Sequence, residues 1–368
     1  MKLRYKISGA LLLLLAVALI ALGLTVSHNS PCGAAPALPN DVQRMKAITY
    51  RCYGGPDVLK LEDIARPTAA DDEVLIRVHA AAVNPLDWHF MRGTPYLIRI
   101  QGGIGAPKSP RLGVDFAGTV EAVGRNVKRL QPGDEVFGSA DGAFAQYVTA
   151  GEGDPVVPKP SSLTFEQAAA VPIAGLTALQ ALRDKGHLQA GQKVLINGAS
   201  GGVGTFAVQI AKSMGAEVTG VCSTRNVDLV RSIGADHVID YTQQDFTRGE
   251  QHYDLIIDTV GNHPLLEYRR VLTPNGVFVI VGGPSDDPWI GPLTGAIKAL
   301  LLSPFVHQKF LMFIADLNQR DLNALRQLIQ AGKVTPVIDR SYSLSEVPAA
   351  LRYLELGHAR GKVVISVQ

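Results

Sequence analysis

The chain has 368 residues, 46% hydrophobic and 18% charged, which is enough to bury a sizeable core and too long for one ordinary small domain; two folded domains are expected. A formal net charge of +2 without a long basic block gives no electrostatic case for nucleic acid or an acidic partner, so a small-molecule ligand is expected. Cys32, Cys52 and Cys222 are an odd set without C-x-x-C spacing, so neither a disulfide framework nor a thiolate zinc lobe can be read from them, and they read as ordinary thiols.

Lys2, Arg4 and Lys6 precede an uncharged run from Ile7 to Val26. As a helix it would span roughly 30 Å, so an uncleaved transmembrane anchor over 1–27 is predicted, with a cleaved signal peptide as the alternative. The N-terminal positive charges place the body of the protein outside the cytoplasm, whereas the cofactor argued below places it inside, so the side is left open. Residues 28–44, rich in proline and small polar residues, read as a linker. From Met45 onward, short strands such as "KAITY", "EVLIRVHA" and "DEVFGS" alternate with turns, which predicts a mostly β domain over 45–165.

The rhythm then changes. "KVLIN", "AEVTGVC", "HVID", "YDLIIDTV" and "GVFVIVGG" are nearly continuous apolar runs separated by helical segments, the pattern of parallel strands covered on both faces. A doubly wound α/β domain is predicted over 166–316, with residues 317–368 returning to the β domain. The apolar stretch 290–315 is interrupted by Lys298, Pro304, His307 and Lys309 and reads as a core helix followed by a strand, with an apolar substrate entrance close to the membrane as the alternative.

"KVLINGASGGVGTFAVQIAKSMGA" carries the chemistry. A strand ends at Asn197, and Ser200, Gly201, Gly202, Val203 and Gly204 lead into a helix whose N-terminal N–H groups would face a phosphate. Ala199 stands at the first glycine position of G-x-G-x-x-G, so the context of strand before and helix after completes the pyrophosphate reading. The same residues match G-x-S-x-G, so a serine hydrolase using Ser200 is a minor alternative, but no HGGG-type oxyanion segment precedes it. At the end of the next strand Cys222 stands where an acid would hold a ribose 2′-hydroxyl, followed by Ser223, Thr224 and Arg225, so NADP(H) is preferred over NAD.

Together with "AVNPLDW", "GVDFAGTVEAVG", "PGDEVFG", "AAAVPIAGLTALQAL", "GADHVIDY" and the closing segment through "GKVVISV", these residues resemble the medium-chain dehydrogenase/reductase superfamily, in its zinc-free quinone oxidoreductase-like branch. The resemblance implies a GroES-like β-barrel catalytic domain interrupted by a Rossmann domain, and NADPH-dependent hydride transfer to a small electrophile such as a quinone, enone or 2-alkenal. It also implies frequent homodimers. It assigns Tyr241 with Ser223 and Arg225 to the 2′-phosphate, Thr177 to the nicotinamide, and Gly261, Gly282 and Gly283 to cofactor-lining loops. Asn84 and Asp87 fall at the active-site cleft, with Tyr96 as a further candidate. Zinc members carry cysteine and G-H-E where this chain has Asn84 and Val114, and 171–177 contains no cysteine, so no metal is expected. The alternative of another class is a membrane-tethered NADPH-binding sensor or scaffold with little turnover.

Overall fold

The computed structural model describes residues 15–18, 20–283, 287–289, 291, 294–302 and 306–367. Helix α1 occupies 15–18 and 20–27. The first strands and helices are β1 (Arg44–Thr49), β2 (Lys60–Ala65), β3 (Glu73–Val83), α2 (Pro85–Arg92), α3 (Ile98–Gly102), β4 (Asp115–Val123), β5 (Glu135–Ser139), β6 (Tyr147–Gly151) and β7 (Val156–Pro158). There follow α4 (Phe165–Ala169), α5 (Pro172–Gln180), β8 (Lys193–Asn197), α6 (Gly202–Ser213), β9 (Glu217–Cys222), α7 (Val227–Ser232), β10 (His237–Asp240), β11 (Tyr253–Asp258), α8 (Leu265–Arg270) and β12 (Leu272–Ile280). The chain ends with α9 (Thr294–Leu302), β13 (Lys309–Met312), α10 (Gln319–Gln330), β14 (Ile338–Ser343), α11 (Val347–Glu355) and β15 (Lys362–Ser366).

Among the described residues, one sheet runs β10-β9-β8-β11-β12-β13 with every pairing parallel. Its central strands are buried almost end to end, as expected where helices cover both faces. The order reverses between β8 and β11, and the carboxyl ends of the strands at that switch point open a crevice. A second sheet runs β14-β15-β3-β4-β5-β7, with β6 also on β3. It joins the end of the chain to its beginning, because β15 pairs antiparallel with β3, Val363 opposite Val83. The described residues of the apolar 290–315 stretch include α9 and then β13, which pairs with β12.

The expected transmembrane helix is not found. No helix among the described residues is long and apolar enough to cross a membrane. Residues 1–14, the first part of the expected span, lie outside the described residues. The described helical stretch ends at Ser27. Its end is also occupied elsewhere: Val26 is buried, and the Val26 and His28 carbonyls accept hydrogen bonds from Arg99. The single-pass membrane localisation that rested on this helix falls with it.

Residues after α1 are stitched to the β domain. Ser30 N–H donates to the Gly105 carbonyl at 2.9 Å, and Cys32 and Cys52 form a disulfide with Cα atoms 4.6 Å apart. Two of the three cysteines are therefore not ordinary thiols. Cys222 is buried, and desolvation pushes its thiol up to about 11, so it stays protonated and inert.

Candidate active site

Strand register assembles one wall of the cleft. Ala82 on β3 lies opposite Asp115 on β4, Asp115 lies opposite Ser139 on β5, and Val363 on β15 lies opposite Val83. Lys362, Asn84, Asp115 and Ser139 therefore stand in a row across adjacent strand ends, and all four are buried. Asp115 accepts from Asn84 Nδ2 at 3.0 Å, from Ser139 Oγ at 3.3 Å and from the Ile173 N–H at 3.2 Å. Ile173 belongs to the first turn of α5, so the carboxylate meets the positive end of that helix. Lys362 Nζ lies 3.7 Å from Asp115, donates to the Val83 carbonyl at 3.2 Å, and makes a short hydrogen bond to Asn84 Oδ1.

This network settles what Asn84 can do. Its amide oxygen accepts from Lys362, and its nitrogen donates to Asp115 and, at 3.3 Å, to the Ala82 carbonyl. Both amide hydrogens are engaged, leaving none for a substrate oxygen. Asp87 serves the turn below: its Oδ2 accepts from the Asn84 N–H at 2.7 Å, the reciprocal half of a capping box opening α2. Complete burial, followed by repulsion from Asp115, pushes Asp87 up to about 7 against the pull of the Asn84 N–H and Lys362. Burial likewise raises Asp115 and lowers Lys362, each opposed by the attraction between them.

The opposite wall is the switch point of the parallel sheet. A Cβ on Gly204 would lie 2.1 Å from the Gly198 carbonyl oxygen, so that glycine is required by the turn itself. At Gly201 the nearest atom would be 3.4 Å away, so protein packing does not demand glycine there. Gly201 is the N-cap of α6, where bare backbone leaves room for a phosphate against the first N–H groups, and the residues fit a dinucleotide pyrophosphate. Val203 follows in the first turn of α6. Gly201 also forms a parallel bridge with Gly361, which joins the glycine loop to the strand that carries Lys362.

Ser200 Oγ accepts from Asn226 Nδ2 at 3.0 Å, while His263 pairs with Glu267 at 3.0 Å. Ser200 thus has an amide, not an imidazole, as its hydrogen-bond partner, which removes the support for a nucleophile elbow. After β9, Ser223 accepts from Asn226, Thr224 donates to Asp240 at 2.6 Å, and Arg225 donates to the His358 carbonyl at 2.8 Å. Tyr241 is exposed beside them, its N–H on the Cys222 carbonyl.

Thr177 lies on half-buried α5 surface and donates to the Ile173 carbonyl at 2.7 Å. The Gly261 N–H donates to Asp258 Oδ1 at 3.0 Å, and Asp258 also holds Asn197 across the switch at 2.9 Å. A Cβ at Gly282 would meet the Thr259 carbonyl at 2.5 Å, whereas Gly283 is open on that side. Tyr96 stands apart from the buried row, on the loop after α2, with its ring 4.8 Å from that of Trp289.

Reasoning from sequence missed Lys362, Ser139, Asn197 and Asp258. Lys362 follows a glycine in "RGKVVISV", an ordinary strand opening, and only pairing with β3 brings it to Asn84.

Comparison with known proteins agrees with this architecture. Residues 70–161 match the family model described as alcohol dehydrogenase GroES-like domain, and residues 233–365 match zinc-binding dehydrogenase. The chain is 37% identical over 360 residues to the mouse (Mus musculus) mitochondrial NAD(P)H oxidoreductase RTN4IP1, covering 88% of this chain and 89% of that protein. It is 35% identical to 2-methylene-furan-3-one reductase of Solanum lycopersicum, covering 94% and 85%. The quinone oxidoreductase structure from Coxiella burnetii superposes with a TM-score of 0.77 at 33% identity, covering 89% of this chain and all of that one. That of Escherichia coli quinone oxidoreductase complexed with NADPH superposes with a TM-score of 0.75 at 26% identity, covering 87% and 99%. Where zinc members hold the metal, this chain presents an engaged amide and the aliphatic Val114, with the Lys362 ammonium beside Asp115. The chain belongs to the medium-chain dehydrogenase/reductase superfamily, in its zinc-free quinone oxidoreductase-like branch.

Proposed function

We propose that this protein is an NADPH-dependent oxidoreductase that transfers hydride to a conjugated electrophile: a quinone, an enone or a 2-alkenal. The observation that carries this reading is the bare Gly201 cradle at the α6 N-terminus, bridged to Gly361 and so to the buried Lys362–Asn84–Asp115 row. The relatives named as reductases and the solved quinone oxidoreductases support it.

Bound NADPH supplies the hydride. Gly201, Gly202, Val203 and Gly204 would hold its pyrophosphate, and Ser223, Thr224, Arg225 and Tyr241 its 2′-phosphate, where a guanidinium fork suits phosphate oxygens. Thr177, on the helix anchored by Asp115, and the Gly261, Gly282 and Gly283 loops would line the nicotinamide end. Conjugation in the acceptor spreads the charge that develops, so the residues mainly orient the partners and exclude water. Asn84 and Asp87 keep the cleft wall in register instead of donating to the substrate. Tyr96, on the facing loop, is the side chain we assign to proton delivery, directly or through water.

The test is NADPH oxidation with quinones, 2-alkenals and saturated aldehydes, with NADH as comparison. Turnover of conjugated acceptors, preference for NADPH and full activity in chelator are expected. Tight NADPH binding without turnover of any acceptor would instead favour the sensor or scaffold reading.

A further inference from the structure

The sheet order places Arg225, after β9, on one side of the glycine loop and the segment after β12 on the other. The reacting end of a dinucleotide held by that loop would therefore fall toward β11 and β12. At that end the two domains touch. The Tyr96 N–H donates to the Pro288 carbonyl at 2.7 Å, and the Tyr96 and Trp289 rings meet nearly edge-on, 78° apart.

A third element covers this contact. A Cβ on Gly23 of α1 would lie 3.3 Å from the Trp289 ring. Arg99, only 2% exposed, donates to the Val26 and His28 carbonyls at 3.0 Å each, and its guanidinium lies 4.6 Å from the Tyr96 ring centroid. A buried arginine bonded to main-chain carbonyls fixes the end of α1 against α3 and the Tyr96 loop, and the Cys32–Cys52 disulfide clasps the chain that follows. Around this junction Leu24, Leu97, Ile100, Ile104 and Trp289 remain exposed. Large apolar side chains left exposed around the contact of two domains mark a binding surface.

We propose that the N-terminal segment from Gly23 to Cys32 forms the outer wall of the substrate entrance and, with Trp289 and the α3 side chains, receives the apolar tail of a long-chain acceptor. This rests on the reductase reading: the conjugated carbonyl or quinone head reaches the nicotinamide, and the tail lies along the wall. The stretch that resembles a membrane anchor in sequence has, in its described part, the separate task of selecting acceptors by tail length.

The test uses the full chain and two readouts. One is kcat/KM for 2-butenal, 2-hexenal, 2-nonenal and 2-dodecenal; the other is equilibrium binding of saturated 2-alkanones of matching lengths to the protein loaded with NADP+. In the wild type both should rise about two- to threefold per methylene over the middle of the series, below the value of about fourfold for complete burial of each group. Leu24→Ser combined with Ile104→Ser should flatten both slopes, and Cys32→Ser with Cys52→Ser should flatten them through the unclasped wall. The slope, not the absolute rate, is the readout, because a general loss of activity leaves it unchanged. A flat wild-type slope in both assays, or an unaltered slope in both variants, would overturn the proposal. A steep 2-alkanone slope without turnover of any alkenal or quinone would remove the reductase reading and leave the wall standing.

Discussion

Lys362 and Asp115, both buried, face each other at 3.7 Å across the ends of β15 and β4, with the Asn84 amide bonded to each. Removing one partner of such a pair strands the other charge, a loss of about 3–5 kcal/mol. Lys362→Met should therefore lower thermal stability sharply, and Asp115→Asn added to it should restore most of the loss. Catalysis should not return with stability, because Asn84 loses the bond to its amide oxygen. Denaturation midpoints and kcat measured on the wild type and the two variants check this.

Asp87 gives the stability a pH dependence of definite sign. Its folded value, pushed up to about 7, lies above the ordinary carboxylate range near 4, so the folded state keeps a proton that the unfolded chain releases. Stability should fall as pH rises from about 4 to about 7 and stay level above that. Asp87→Asn keeps an acceptor for the Asn84 N–H and carries no charge. The variant's advantage in melting temperature should open across that window; equal shifts at every pH would show that Asp87 does not titrate there.

Two glycines of one loop should fail differently. Gly204→Ala drives a Cβ into the Gly198 carbonyl at 2.1 Å and should destabilise the whole domain. Gly201→Ala meets nothing closer than 3.4 Å, so it should fold normally and lose NADPH affinity. Thermal denaturation beside equilibrium NADPH binding separates the two.

Arg225, whose guanidinium donates to the His358 carbonyl, is the cation expected at the 2′-phosphate. Arg225→Ala should weaken NADPH by about tenfold to a hundredfold, the worth of a charge-assisted hydrogen bond, and leave NADH nearly unchanged. Equal effects on both cofactors would place the arginine elsewhere.

The local patterns were strong enough to read directly. Continuous apolar runs imply a two-sided parallel sheet, and glycines between a strand and a helix imply a phosphate turn; neither depends on distant residues. "NPLDW" was legible only as a segment of the active-site cleft; the structure adds that α2 opens there, with the Asp87 carboxylate accepting from the Asn84 N–H. The N-terminal run was misleading because hydropathy registers apolarity, not where the chain is held: Leu15, Val17, Ile20, Leu22 and Leu24 are exposed, while Val26 is buried and its carbonyl is bound by Arg99. Arg99, the Cys32–Cys52 bond and Trp289 are distant in sequence or carry no pairing signal.

By itself, the sequence determined the two-domain class of fold, the choice of NADP(H) and the lack of the usual zinc-ligand residue types around Asp115, because each depends on residue type within a short window. Only the tertiary structure decided that Lys362 pairs with Asp115 and occupies the Asn84 amide, and that the end of the N-terminal helix lies against Arg99 and Trp289. Those facts arise from strand register and long-range packing, which join residues hundreds of positions apart and leave no mark on the local pattern of either.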